Sequence, residues 1–264
     1  MPFERMVVEE GPVRLAAMVR GRGPDVVLIP SHGRGAADFD DLARRLDEAG
    51  FRAVALDPRG VGDSRGPADG VTLHDLAGDV ALVIERCCKP PVHVLGHANG
   101  QRIARCLAVD RPDLVDRLVL LACGGRVPGD ADAWSLYGDL YDTSLPIARR
   151  LEALRRNFFC DGGDAAVWLD GWWQAAREIQ DRANEAVELH EWWHGGSAPM
   201  LVIQGEDDVV APPQNGHLLA AEFGTRVTLV DLPGVAHAML PEEPGRIGDL
   251  VVAWLRGEAV AAVC

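Results

Sequence analysis

The stretch Val92-His-Val-Leu-Gly-His-Ala-Asn-Gly100 decides the fold. Its first half, Val92-His-Val-Leu95, reads as a strand. Gly96 and Gly100 allow a tight turn and a close strand–helix approach, and a helical pattern follows from Asn99 to Val109. Strand, glycine turn and helix form the setting in which a Gly-x-Ser-x-Gly motif exposes a nucleophile. Position 98, where the serine hydroxyl would project, carries the methyl group of Ala98.

The same alternation extends in both directions. Upstream, Asp25 to Pro30 holds a continuous apolar run that ends in the glycine-rich turn Ser31-His-Gly-Arg-Gly35. A helix from about Asp38 to Ala49 follows, with Leu42, Leu46 and Ala49 on one face and Gly50 closing it. Arg52 to Leu56 reads as a strand, and Thr72 can cap a helix whose Leu73, Leu76, Val80, Val83 and Cys87 share a face. Downstream, Leu118 to Ala122, Met200 to Ile203 and Val227 to Val230 read as strands, and a last helix runs from Glu243 to Leu255. Arg5–Val8 and Val13–Val19 form a hairpin of antiparallel edge strands. Strands alternating with helices predict an α/β fold with a mostly parallel twisted sheet flanked by helices.

Between Cys123 and Pro199 the strand pattern stops. Helices are predicted around Trp134, from Pro146 to Phe159 and from Asp164 to Trp193. The expected division is a core of residues 1–123 and 199–264 with a helical cap over 124–198. Trp172, Trp173, Trp192, Trp193 and Phe158 are the aromatics expected to line a ligand pocket beneath the cap, above the strand ends where α/β sheets bind ligands.

Composition narrows the function. The 264 residues carry 26 Lys+Arg against 40 Asp+Glu, a net charge of −14, which argues against nucleic acid or an anionic membrane as partner. No apolar stretch reaches the ~18–20 residues that span a bilayer. The start Met1-Pro-Phe-Glu-Arg-Met6 lacks a signal-peptide pattern, and a cytoplasmic location is expected. The six cysteines, at 87, 88, 106, 123, 160 and 264, form no Cys-x-x-Cys pair and are read as idle thiols in a reducing compartment. With no metal-ligand spacing and no phosphate-binding glycine loop, neither metal nor cofactor is expected; a small-molecule or peptide substrate is.

Chemistry is expected where later loops meet the turn at Ala98. Gln204-Gly-Glu-Asp-Asp-Val-Val-Ala-Pro212 supplies Asp208, with Asp207 as the adjacent alternative, and Pro233-Gly-Val-Ala-His237 supplies a histidine before the last helix. The backbone N–H groups of Arg34 and Asn99 are the candidate oxyanion donors, with His32 and His97 on the same two turns as further substrate-binding candidates. A His–Asp pair with such donors can abstract a proton α to a carbonyl without a covalent intermediate.

These pieces in this order resemble the α/β-hydrolase fold family: the His32-Gly33 loop, Asp57-Pro-Arg-Gly-Val-Gly-Asp-Ser64, the turn at Ala98, the Gly205…Asp208…Pro212 segment and His237. Ser64 matches a structural loop of that family and is read as a turn residue; Ser31 is the other serine near the site. The stretches Leu95 to Arg105 and Ile29 to Asp38 resemble an atypical bacterial subgroup with alanine at the turn, that of the peptide aspartate epimerases of bottromycin-type biosynthesis. The resemblance implies an isomerase that inverts the Cα of an aspartate beside an azoline or azole ring in a hydrophobic macrocyclic peptide. It also favours Ala98 as a natural residue over an engineered one. Two other readings stay open: an ester or amide hydrolase inactivated at position 98, and a binding protein that sequesters a natural product.

Overall fold

The computed structural model describes residues 2–260, so the sixth thiol, Cys264, lies outside the described residues. The first strands, β1 (Glu4–Glu10) and β2 (Val13–Gly21), form an antiparallel hairpin, with Val8 opposite Leu15. Next come β3 (Asp25–Ile29), α1 (Asp40–Glu48), β4 (Arg52–Asp57), α2 (Leu73–Cys87), β5 (Val92–His97), α3 (Asn99–Asp110) and β6 (Val115–Leu121). Helices α4 (Ala131–Trp134), α5 (Ile147–Phe158), α6 (Gln174–Glu185) and α7 (Leu189–Trp192) precede β7 (Met200–Gly205), α8 (Gln214–Phe223), β8 (Val227–Leu232) and α9 (Pro244–Leu255). The eight strands lie in the order β1-β2-β4-β3-β5-β6-β7-β8, parallel from β4 onward.

Strand composition accounts for this arrangement. Every residue of β3 and β7 is buried, as expected for strands covered on both faces, whereas β1 shows an exposed edge pattern. Of the hairpin only β1 lies at an edge of the sheet, because β2 also pairs with β4, which corrects the expectation of two edge strands there; β8 forms the opposite edge. Leu42 and Leu46 of α1 pack with Ile247 and Val251 of α9 on one face. Leu76 and Val80 of α2, Leu107 of α3 and Leu219 of α8 cover the other. Thr72 caps α2 through a reciprocal box with Asp75, each accepting the other's N–H.

The predicted run from Asp164 to Trp193 is not one helix. A 3-10 turn (Ala165–Trp168), α6 and α7 replace it, with Gly171 at φ +85° in the first break. Leu140, Leu154, Phe158 and Trp168 form a separate apolar cluster within the 124–198 segment, which touches the loop after β8 through Ala238.

Candidate active site

The turn between β5 and α3 is as tight as its glycines require. A Cβ on Gly100 would stand 2.1 Å from the Ile29 carbonyl oxygen, and one on Gly96 would stand 2.4 Å from the Gln101 nitrogen. Ala98, between them, is held at φ +49° and ψ −108°, a strained conformation for a residue with a side chain. Its N–H donates to the Leu121 carbonyl at 2.9 Å, which locks the turn onto β6.

Ala98 and His237 line one cavity of about 410 Å³. His237, in the loop after β8, places Nδ1 2.8 Å from Asp208 Oδ2, and both side chains are almost wholly buried. Asp208 Oδ1 also accepts the N–H groups of Val210 and Ala211 at 2.9 and 2.7 Å, so the carboxylate is fixed before it meets the imidazole. Of the two candidate aspartates it is therefore Asp208 whose carboxylate meets His237, while the Asp207 backbone N–H donates to the Val235 carbonyl. Glu242 braces the histidine loop by accepting from Ala236 and Met239, while the Ala238 N–H donates to Phe158 of α5.

The oxyanion donors differ from expectation. The Arg34 N–H is taken by the Ser31 carbonyl at 3.1 Å, closing a turn, and the Gly33 N–H is taken by the Gln180 side-chain oxygen at 2.8 Å. The Arg34 side chain turns away to pair with Asp38 and lies 4.7 and 4.6 Å from the ring centroids of Trp168 and Trp172. The Asn99 N–H, in the first turn of α3, has no intrahelical carbonyl to bond and stays in the candidate role. The Asn99 side chain lines the cavity and accepts from Asn184 at 2.8 Å.

His32 also lines the cavity, its Nδ1 2.6 Å from the Tyr137 hydroxyl and its Nε2 2.9 Å from Asp181. Burial opposes ionisation of Asp181, but His32 and Arg177 outweigh it and hold that carboxyl below its usual pKa. His97 does not reach the cavity. It is fully buried and donates Nε2–H to the His237 carbonyl at 2.9 Å. Burial, the neighbouring His237 and Arg34 push its pKa down to about 3, so it is a neutral strut beneath the histidine loop.

Among the aromatics expected in the pocket, only Phe158 lines the cavity; Trp134 and Tyr137 are the others that do. Trp192 and Trp193 are buried in the core, sandwiching the Arg105 guanidinium at 4.6 and 4.8 Å. Trp172 packs on Arg34 and Tyr141, and Trp173 is 41% exposed. A tryptophan count reveals aromatic mass, not direction, and the buried arginines claimed three of these rings. Ser64 Oγ accepts the Ala16 N–H in a turn, whereas Ser31 lines the cavity.

Two features had no signal in the chain. Arg102 lines the cavity from α3. His74, Cys106 and Asp110, from two helices, bring one ligand-type atom each to within 4.8 Å of one another at the far end of α3. The expectation of no metal-ligand spacing could not foresee that convergence, since His74 is far from the other two in sequence. Among the described residues, no helix is long and apolar enough to cross a membrane.

Known proteins share this architecture. A model of the alpha/beta hydrolase fold matches residues 24–153. BpoC of Mycobacterium tuberculosis, whose name assigns it to the non-heme bromoperoxidases, is 30% identical over 258 residues, covering 91% of this chain and 97% of its own. In structure, an esterase from Exiguobacterium antarcticum superposes with a TM-score of 0.81 at 20% identity, covering 97% of this chain and all of its own. An enol-lactonase from Burkholderia xenovorans gives 0.79 at 22%, covering 96% and 100%. The sheet order, the glycine turn and the sequence kinship agree: this chain belongs to the α/β-hydrolase fold family.

Proposed function

We propose that the protein is a non-hydrolytic enzyme of this fold, a cytoplasmic epimerase acting on the Cα of an aspartate in a hydrophobic peptide. Residues 1–123 and 199–264 serve as the core and 124–198 as the cap over the substrate. The observation that carries this reading is Ala98: an intact His237–Asp208 pair shares its cavity with a methyl group where a nucleophile would stand. A methyl group cannot attack a carbonyl, so no acyl intermediate forms at that position.

What the remaining groups can do is move a proton. With Nδ1 engaged by Asp208, His237 is left with Nε2 to take a Cα proton, and the electron pair of the broken C–H bond moves onto the carbonyl oxygen. The Asn99 N–H steadies that enolate oxygen, solvent water protonates the opposite face of Cα, and the hydroxide left behind takes the proton held by His237, which completes the inversion. An azoline ring next to the aspartate would acidify the Cα–H and reduce the demand on the base. The substrate's own carboxylate is a competing base, in which case His237 positions the peptide.

A hydrolase reading is favoured by the names of the esterase and the enol-lactonase, though not by that of the bromoperoxidase, and is the alternative; a non-catalytic binding protein for a natural product is the other. Incubating the protein in deuterated water with a peptide holding aspartate beside a thiazole separates them. Epimerisation puts deuterium at Cα without cleavage. Absence of Cα exchange above the uncatalysed rate removes the epimerase reading, and binding without exchange supports the binding protein.

A further inference from the structure

The cavity has an electrically distinct end. Arg102 lines it beside Gly124 and Gly125, and a Cβ on Gly124 would stand 3.8 Å from the guanidinium. Among the described residues no carboxylate pairs with Arg102 and no oxygen accepts a hydrogen bond from it; its guanidinium carbon lies 5.5 Å from the centroid of the Trp192 ring. Behind it, the fully buried Arg105 donates to Gln101, the Gly124 carbonyl and the Trp193 carbonyl, all uncharged. One guanidinium therefore faces this end without a carboxylate partner and a second stands behind it, in a chain where acids outnumber bases 40 to 26. The buried Arg34 and Arg59 differ in this respect, each paired with an aspartate, Asp38 and Asp79.

Burial lowers the pKa of Arg102, so desolvation opposes the charge it carries. An arginine remains protonated in such a setting, and a half-buried guanidinium with part of its hydration removed gains from the arrival of an anion. The guanidinium presents paired N–H donors that match the two oxygens of a carboxylate. Arg102 stands in the first turn of α3, where the unpaired N–H groups add to the positive field. The acids of the cavity lie on α6: Asp181 is engaged by His32 and Arg177, and Glu185 is exposed and outside ion-pair reach of Arg102.

We infer that the ligand of this cavity carries a free carboxylate and that Arg102 is the residue that recognises it, orienting the ligand with its anionic end toward Gly124. The inference rests on the cavity being the substrate site, as proposed above, and is independent of the reaction performed there.

The test uses two isosteric probes, N-acetyl-aspartyl-phenylalanine amide and N-acetyl-asparaginyl-phenylalanine amide, with affinities measured by calorimetry. The wild type is expected to prefer the aspartyl probe about 10-fold or more. Arg102→Gln abolishes the preference by weakening the aspartyl probe alone, and Arg102→Lys, which keeps the charge but not the fork, retains part of it. A far-ultraviolet spectrum and melting curve matching the wild type establish that the variants are folded. Ala98→Trp, which fills the cavity, blocks the aspartyl probe. Equal affinity of the two probes in the wild type, absence of binding, or a preference that survives Arg102→Gln overturns the assignment of Arg102. An aspartyl probe that binds Ala98→Trp as well as it binds the wild type overturns the cavity as substrate site, and the assignment falls with it.

Discussion

The Gln180 side-chain oxygen, on α6, accepts the Gly33 N–H at 2.8 Å, so a residue of the 124–198 segment occupies a backbone donor of the loop after β3. The Arg34 N–H is closed off as well, by Ser31. Restoring a hydroxyl at position 98 should therefore not restore an esterase. Loss of one oxyanion donor costs roughly 100- to 1,000-fold in turnover. Ala98→Ser is expected to raise p-nitrophenyl acetate hydrolysis less than about 10-fold, and Ala98→Ser with Gln180→Ala to exceed the single variant by about 100-fold. Initial rates of nitrophenolate release decide it. A large gain from Ala98→Ser alone would favour the inactivated hydrolase.

His237 sits against Asp208 with no nucleophile to serve, and its removal reports on what it does. His237→Ala is expected to slow Cα deuterium exchange about 100-fold, the usual contribution of a positioned general base. Asp208 keeps its two backbone donors, Val210 and Ala211, so its carboxylate is not stranded in the variant. Exchange that drops less than about 3-fold assigns proton abstraction to the substrate's own carboxylate.

Some of this site was readable in the chain and some was not, for physical reasons. The turn around Ala98, the Thr72 cap and the apolar strand runs follow from local sterics and periodicity, and local patterns are what a sequence displays. The pairing of His237 with Asp208 was legible because each sits in a short loop at a strand end, and the sheet fixes where strand ends go. The fate of the Arg34 and Gly33 N–H groups was hidden, because one depends on a loop closing on Ser31 and the other on a glutamine 147 positions away. Arg102 was hidden for a similar reason. Its missing partner is a property of everything packed around it, and no motif encodes an absence.

The glycine contacts make a stability prediction with an internal control. Gly100→Ala would force a Cβ against the backbone oxygens of Ile29 and Pro30, at 2.1 and 2.7 Å, and neither can move without shifting β3. The expected loss is about 3 kcal/mol, the upper range for overpacking. Gly78, exposed within α2, has open space at the same position, and Gly78→Ala should stabilise by about 0.5–1 kcal/mol through helix propensity. Urea unfolding of the two variants, with their midpoints moving in opposite directions, checks both.

The buried His97 couples the fold to pH. Its pKa is about 3 in the folded chain, chiefly through burial, against about 6.5 when unfolded. Between these values the unfolded chain binds one more proton at this position than the folded one does. Stability therefore rises with pH across the window and is lost as pH falls below the unfolded pKa. His97→Gln removes the titrating group, so the difference between wild type and variant isolates it from every other carboxylate and histidine. From pH 7.5 to 5.0 the unfolding free energy of the wild type should fall by about 2 kcal/mol relative to His97→Gln. Denaturant titrations of both proteins at the two pH values measure this directly. Parallel pH profiles would mean that His97 takes up its proton as readily in the folded chain as in the unfolded one, and the neutral strut under the His237 loop would have to be abandoned.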